Sequence, residues 1–245
     1  MPPSPPDAPE TSPDAASTPD TGPPLPPDRR GLLALELGVI FFVGPSVYTL
    51  LNPGPGWLFP LIWILGAYAL VILLRDSTFP KRQLWNFAGG KPILRHMLLR
   101  FLILGAGMAL AVVAADRWYF GEPLLFELAK RNPGLLAMIM IFYPIFSVYP
   151  QEVAFRTFFF HRYRHLLPGK WLMIGVGAAA FSWAHIVFQN GLALVMCLVA
   201  GVLFGQTFWR SRSTAAVWLE HALYGCLIFV IGLGRFFYAG AVGQH

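Results

Sequence analysis

Three short strings carry the side chains able to do chemistry. YPQEVAFR holds Gln151, Glu152 and Arg156, FSWAH sets Phe181 four residues before His185, and LEHALYG holds Glu220, His221 and Gly225. Residues at i and i+4 share a helix face, so Glu152 lies over Arg156 and Phe181 over His185. A carboxylate and an imidazole facing one water can take its proton and direct the oxygen at a carbonyl carbon. A second histidine would donate to the oxyanion that develops, while Arg156 would hold Glu152 in position. One Glu and two His also suit a zinc ion with a position left for water, although no close pair of histidines on one helix is present. The residues alone leave both chemistries open. They also leave open a structural Glu152–Arg156 ion pair and a His185 that only packs and hydrogen-bonds.

The elements that must position these residues follow from composition. Of 245 residues, 56% are hydrophobic and 12% charged, against roughly 25% charged in soluble domains. So few charges cannot cover the surface of an ordinary soluble enzyme. The formal charge of +6 divides unevenly, because residues 1–28 hold five acids, no base and 11 of the 22 prolines. Residues 1–30 are therefore expected to form a disordered Pro/Asp-rich cytoplasmic tail, with little apolar surface to bury. It lacks the basic and apolar regions of a signal peptide.

Residues 31–245 are expected to form an all-α, polytopic transmembrane helix bundle. A bilayer core about 30 Å thick needs about 20 apolar residues per helix. Seven runs qualify, at 32–51, 57–74, 93–115, 134–160, 171–189, 191–209 and 213–233. Pro144 and Pro150 favour a kink or break in the fourth, which makes eight pieces the nearest alternative. Lysine and arginine crowd alternate loops, with Arg29, Arg30, Arg75, Lys81, Arg82, Lys91, Arg95, Arg100, Arg162, Arg164, Lys170, Arg210 and Arg212 on one side. The positive-inside rule makes that side, and the N-terminus, cytoplasmic. The same distribution assigns the bases to membrane topology rather than to nucleic acid.

An ionisable side chain in a span costs about 2.5–3.5 kcal/mol on insertion scales, so each needs a role or a partner. Glu220 is expected at the cytoplasmic boundary near Arg212 or water. Glu36 is expected to reach toward the headgroups, and His161 and His165 to sit at the interface beside their arginines. Cys197 and Cys226 lie in separate apolar runs and read as inert packing residues. GVGAAAF reads as a close helix-packing string of small residues. No His-Glu-x-x-His pair, Gly-x-Ser-x-Gly elbow or phosphate-binding glycine pattern is present.

Together the three strings resemble the CAAX protease and bacteriocin-processing (CPBP, or ABI) family of intramembrane proteases. That family includes type II prenyl endopeptidases and proteins like lysostaphin resistance protein A. Its pattern is Glu-Glu-x-x-x-Arg, Phe-x-x-x-His and His-x-x-x-Asn on successive membrane helices, and the resemblance covers about residues 134–230. It implies an intramembrane endopeptidase of a bacterial inner (plasma) membrane acting on a hydrophobic or lipidated protein or peptide. It implies Glu152 with His185 activating water and His221 at the oxyanion, with zinc on Glu152, His185 and His221 as the alternative to a cofactor-free site. Gln151 stands where the pattern has its first Glu, and Gly225 where it has Asn. Catalysis would then rest on Glu152 as base, and on His221 with the Gln151 amide at the oxyanion. A non-proteolytic accessory or immunity protein of the same fold is the first rival. A proton-coupled transporter is the second, weakened by the lack of paired halves.

Overall fold

The computed structural model describes residues 26–120 and 124–237. Every regular element among them is a helix. Six are long and apolar enough to cross a membrane: α1 Pro27–Leu51, α2 Pro55–Arg75, α3 Phe87–Trp118, α4 Pro133–Arg162, α5 Lys170–Phe188 and α6 Gly191–Ser211. A shorter apolar helix, α7, spans Thr214–Val230. The all-α polytopic bundle is thus as expected, with the seventh run forming a shorter helix than the others. The chain is an integral membrane protein.

Burial runs the opposite way from a soluble domain. Leu102, Ile103 and Leu110 are 62%, 71% and 70% exposed, whereas Glu152, Arg156 and Glu220 are at most 1% exposed. Apolar side chains face outward to lipid, and the charges close on one another inside.

Two boundaries differ from expectation. The first 25 residues of the proline-rich tail lie outside the described range, but Pro27–Arg30 form the first turn of α1. Proline at the helix start needs no N–H there, and Asp28 faces the positive end of the helix dipole. Helix α3 begins at Phe87 rather than 93, because Asn86 caps it by accepting from the Gly89 N–H at 3.0 Å. Lys91 therefore sits on the same helix as Arg95 and Arg100 instead of in the loop before it.

The two prolines do not split α4. The backbone widens into π-helical turns over Tyr143–Val148 and Val153–Phe158. Pro150 has no N–H for the Phe146 carbonyl four residues back, and Trp63 Nε1 from α2 donates to it instead at 3.0 Å. Trp218 Nε1 from α7 donates to the Pro144 carbonyl at 2.6 Å. Such π-turns frequently lie at functional sites.

Small residues bring the helices close. A Cβ at Gly66 would lie 2.8 Å from the Pro150 Cβ, and one at Gly201 would lie 2.7 Å from the Ala178 Cα. The first contact seats α2 on α4 just before Glu152. The second locks α5 to α6 through the small-residue string. Thr157 and Thr214 share a hydrogen bond between α4 and the start of α7. Ser213 caps α7 by accepting from the Ala216 N–H at 3.1 Å. These contacts fix the level at which α7 presents His221.

Candidate active site

Helix α4 supplies Tyr143, Gln151, Glu152 and Arg156, α5 supplies Phe181 and His185, and α7 supplies Glu220, His221 and Gly225. The central contact joins α4 to α7: His221 Nδ1 lies 2.7 Å from Glu152 Oε1. A carboxylate only accepts, so with Glu152 ionised the Nδ1 of His221 carries the proton and donates it. The Nε2 of a neutral His221 then holds a lone pair. The Tyr143 hydroxyl lies 3.3 Å from that Nε2 and donates to it. Tyrosine, imidazole and carboxylate thus form one connected relay across two helices.

Aromatic rings fix the imidazole. The Phe204 ring from α6 stacks on it at 4.8 Å between centroids, and the Phe181 ring meets it edge-on at 5.5 Å. The same Phe181 ring lies 4.8 Å from the His185 ring, so one phenyl packs against both histidines. His185 Nδ1 donates to the Phe181 carbonyl oxygen at 2.7 Å, which leaves the Nε2 of a neutral His185 as an acceptor.

Arg156 sits over Phe181, its guanidinium carbon 4.7 Å from the ring centroid. A desolvated cation over a ring gains about 2 kcal/mol. Its Nε lies 3.6 Å from Glu152 Oε2, beyond a direct hydrogen bond. Arg156 Nε and Nη2 and Glu152 Oε2 are buried without a hydrogen-bond partner among the described residues. The carboxylate therefore has one oxygen committed to His221, while the other faces a guanidinium across a gap.

The remaining sequence candidates divide. The Gln151 amide nitrogen donates to the Ser147 carbonyl at 3.0 Å and the Ser147 hydroxyl at 2.9 Å. Both its N–H groups turn back along α4. Gly225 brings no side chain, and a Cβ there would collide with the Tyr143 hydroxyl. Glu220 is a correction. It is fully buried and pairs with Arg100 of α3, not with Arg212 or water. Arg100 also donates to the Thr207 hydroxyl at 2.8 Å. Glu220 lies six residues into α7, about 9 Å along the helix from its start.

At the basic end, Glu36 accepts from Arg162 at 3.0 and 2.7 Å and from the Tyr163 hydroxyl at 3.1 Å. It ties α1 to α4 instead of reaching headgroups. His161 lies 2.8 Å from Asp76 as well as 3.2 Å from Arg164. Burial raises the pKa of the Asp76 carboxyl, but hydrogen bonds from Thr78 and His161 outweigh it and set it at about 2. Both cysteines are free.

Sequence reasoning missed Tyr143, Phe204 and Arg100. For Tyr143 a signal existed: a glycine at 225 leaves room that a neighbouring side chain must fill. Among the described residues no three His, Cys, Asp or Glu side chains group as a metal ion's ligands would. Because Glu152 and His221 hydrogen-bond each other, the three zinc candidates as arranged do not fit that ion.

Residues 133–227, which contain all three strings, match the family model described as Rce1-like, type II CAAX prenyl endopeptidase Rce1-like. The comparisons with curated proteins and with solved structures gave no match.

Proposed function

We propose that this chain, whose residues 133–227 match the type II CAAX prenyl endopeptidase Rce1-like model, hydrolyses a peptide bond within or beside the bilayer without a metal ion. The single observation that carries the reading is the buried Glu152–His221 hydrogen bond of 2.7 Å, with the second carboxylate oxygen unpartnered among the described residues.

In this reading a water enters between Glu152 Oε2, Arg156 and the His185 lone pair. The water proton passes to Glu152 Oε2 as its oxygen attacks the carbonyl carbon, and the carbonyl π pair moves onto its oxygen. When the C–N bond breaks, the leaving nitrogen takes that proton back. His221, held by Glu152 and two aromatic rings, keeps the carboxylate oriented. General base catalysis of this kind contributes typically about 10²–10⁴ in rate.

The family description points to a substrate with a prenylated C-terminus. A site buried in the plane of the membrane suits a hydrophobic or lipidated protein or peptide, and nothing in it suits nucleic acid. We place the N-terminus in the cytoplasm of a bacterial cell, with the chain in the inner membrane. Arg29, Arg162, Arg164 and His165 line one cavity of about 440 Å³ together with Asp76. That grouping gathers the start of α1, the α2–α3 loop and the end of α4 at one basic end, which supports the orientation.

The test uses purified protein in liposomes with a fluorogenic peptide ending in farnesyl-Cys-aliphatic-aliphatic-X. Wild type is expected to cleave it, and Glu152→Gln and His185→Ala to leave it intact. Normal cleavage by both variants would sink the mechanism, and no cleavage by well-folded wild type favours the non-proteolytic rival. A chelator series on active protein separates the chemistries. Activity that survives thorough metal removal is expected, and activity lost and then restored by zinc contradicts the metal-free reading.

A further inference from the structure

We infer that Tyr143 is a catalytic residue of this site, its hydroxyl donating to the oxyanion of the substrate carbonyl; the inference rests on the hydrolytic reading above. A neutral His221 whose Nδ1–H is committed to Glu152 has no second N–H to give, since its Nε2 holds a lone pair. The expectation that His221 itself stabilises the oxyanion therefore meets a proton-count problem. The Gln151 amide does not solve it, because both its N–H groups serve Ser147.

The one side-chain donor the structure brings to His221 Nε2 among the described residues is the Tyr143 hydroxyl, at 3.3 Å. Its place is built by the fold. The ring occupies the space where position 225 would carry a side chain, and a Cβ on Gly225 would collide with both its hydroxyl and its Cε1. Phe229 meets the Tyr143 ring from the other side at 5.7 Å between centroids. Tyr143 opens the π-turn whose Pro144 carbonyl is pinned by Trp218, three residues before His221 on α7. The turn that re-aims Tyr143 is thus tied to the helix that carries its partner.

In the reaction the hydroxyl rotates from Nε2 toward the substrate carbonyl. As the water oxygen bonds to carbon and the π pair moves to oxygen, that oxygen accepts the Tyr143 O–H hydrogen bond. The tyrosine keeps its proton throughout. The water proton goes to Glu152 as before, and no further reactant is needed. Glycine at 225 and tyrosine at 143 are then one device: the missing side chain admits the ring that carries the donor.

The test is a steady-state series on the farnesylated fluorogenic peptide in liposomes, with folding checked by thermal melting. Tyr143→Phe is expected to melt like wild type and to lose about 10²–10³ in kcat, the effect of removing one oxyanion donor, with KM within about threefold. Gly225→Asn alone is expected to be impaired, because its Cβ meets the ring. In a Tyr143→Ala background, Gly225→Asn is expected to recover at least tenfold over Tyr143→Ala by returning a donor to the vacated space. A second measurement is inhibition by the matching peptide aldehyde, whose hydrate mimics the tetrahedral species. Tyr143→Phe should weaken the aldehyde far more than the product peptide. Wild-type kcat in a folded Tyr143→Phe, or equal weakening of aldehyde and product, overturns the inference. If Glu152→Gln is dead while Tyr143→Phe is unimpaired, only the Tyr143 assignment falls. If Glu152→Gln cleaves normally, the hydrolytic reading beneath it falls.

Discussion

Glu152 and Glu220 are both fully buried, each faces an arginine, and each keeps one carboxylate oxygen without a hydrogen-bond partner among the described residues, yet their bonded oxygens are held in opposite ways. Arg100 contacts Glu220 directly and is itself tied to Thr207. The negative charge is met head-on by a guanidinium, and its partner's side chain is 25% exposed at the bundle edge. Glu152 instead bonds an imidazole N–H, with its guanidinium 3.6 Å away and drawn onto the Phe181 face. An ion pair quenches a carboxylate as a proton acceptor. A neutral hydrogen bond orients it and leaves its charge available. The same residue type at similar burial is therefore a strut in one place and a base in the other.

Substitutions can break this comparison, and the largest effect belongs to Glu152. Glu152→Gln is expected to preserve the fold and to lower kcat on the farnesylated peptide by about 10²–10⁴. Arg100→Met is expected to do the reverse. Removing one partner of a buried pair typically costs about 3–5 kcal/mol, so its unfolding midpoint in denaturant titration should fall sharply. The kcat of the protein that remains folded should stay within about threefold of wild type. A kcat loss as large as that of Glu152→Gln would erase the distinction between the two carboxylates.

Smaller effects are expected at the basic end of the bundle. Glu36→Gln removes a bidentate arginine contact at a half-exposed site and should cost about 1 kcal/mol or less, read from the same titration. Asp76 gives a pH signature. Its folded pKa of about 2 lies below the ordinary carboxylate value of 3.8, so its contribution is present above about 4 and fades as pH falls toward 2. The stability gap between wild type and Asp76→Asn should shrink as pH falls from 4 toward 2. A gap that widens over that range would reverse the sign.

The spans were legible in the sequence because a bilayer demands contiguous apolar runs, and the candidate histidines and Glu152 stood out because charge inside such runs is costly. Other features depended on distant partners. The continuity of α4 through Pro144 and Pro150 relies on Trp63 and Trp218, neither on that helix. The depth of Glu220 became clear only with Arg100, which lies 120 residues away in the chain. Tyr143 looked like one aromatic among many in a chain with 8 Tyr and 21 Phe. Its role emerges only from the close approach over Gly225. Single strings marked which residues were unusual, while tertiary contacts decided which of them meet.

The most direct test of the account compares two glutamines. Purified wild type, Glu152→Gln and Glu220→Gln are assayed side by side in liposomes on the farnesylated peptide, with rates normalised to the folded fraction. The account predicts that Glu152→Gln is silent and that folded Glu220→Gln cleaves at nearly the wild-type rate. Cleavage by Glu152→Gln at the wild-type rate, or silence of a folded Glu220→Gln, would contradict it.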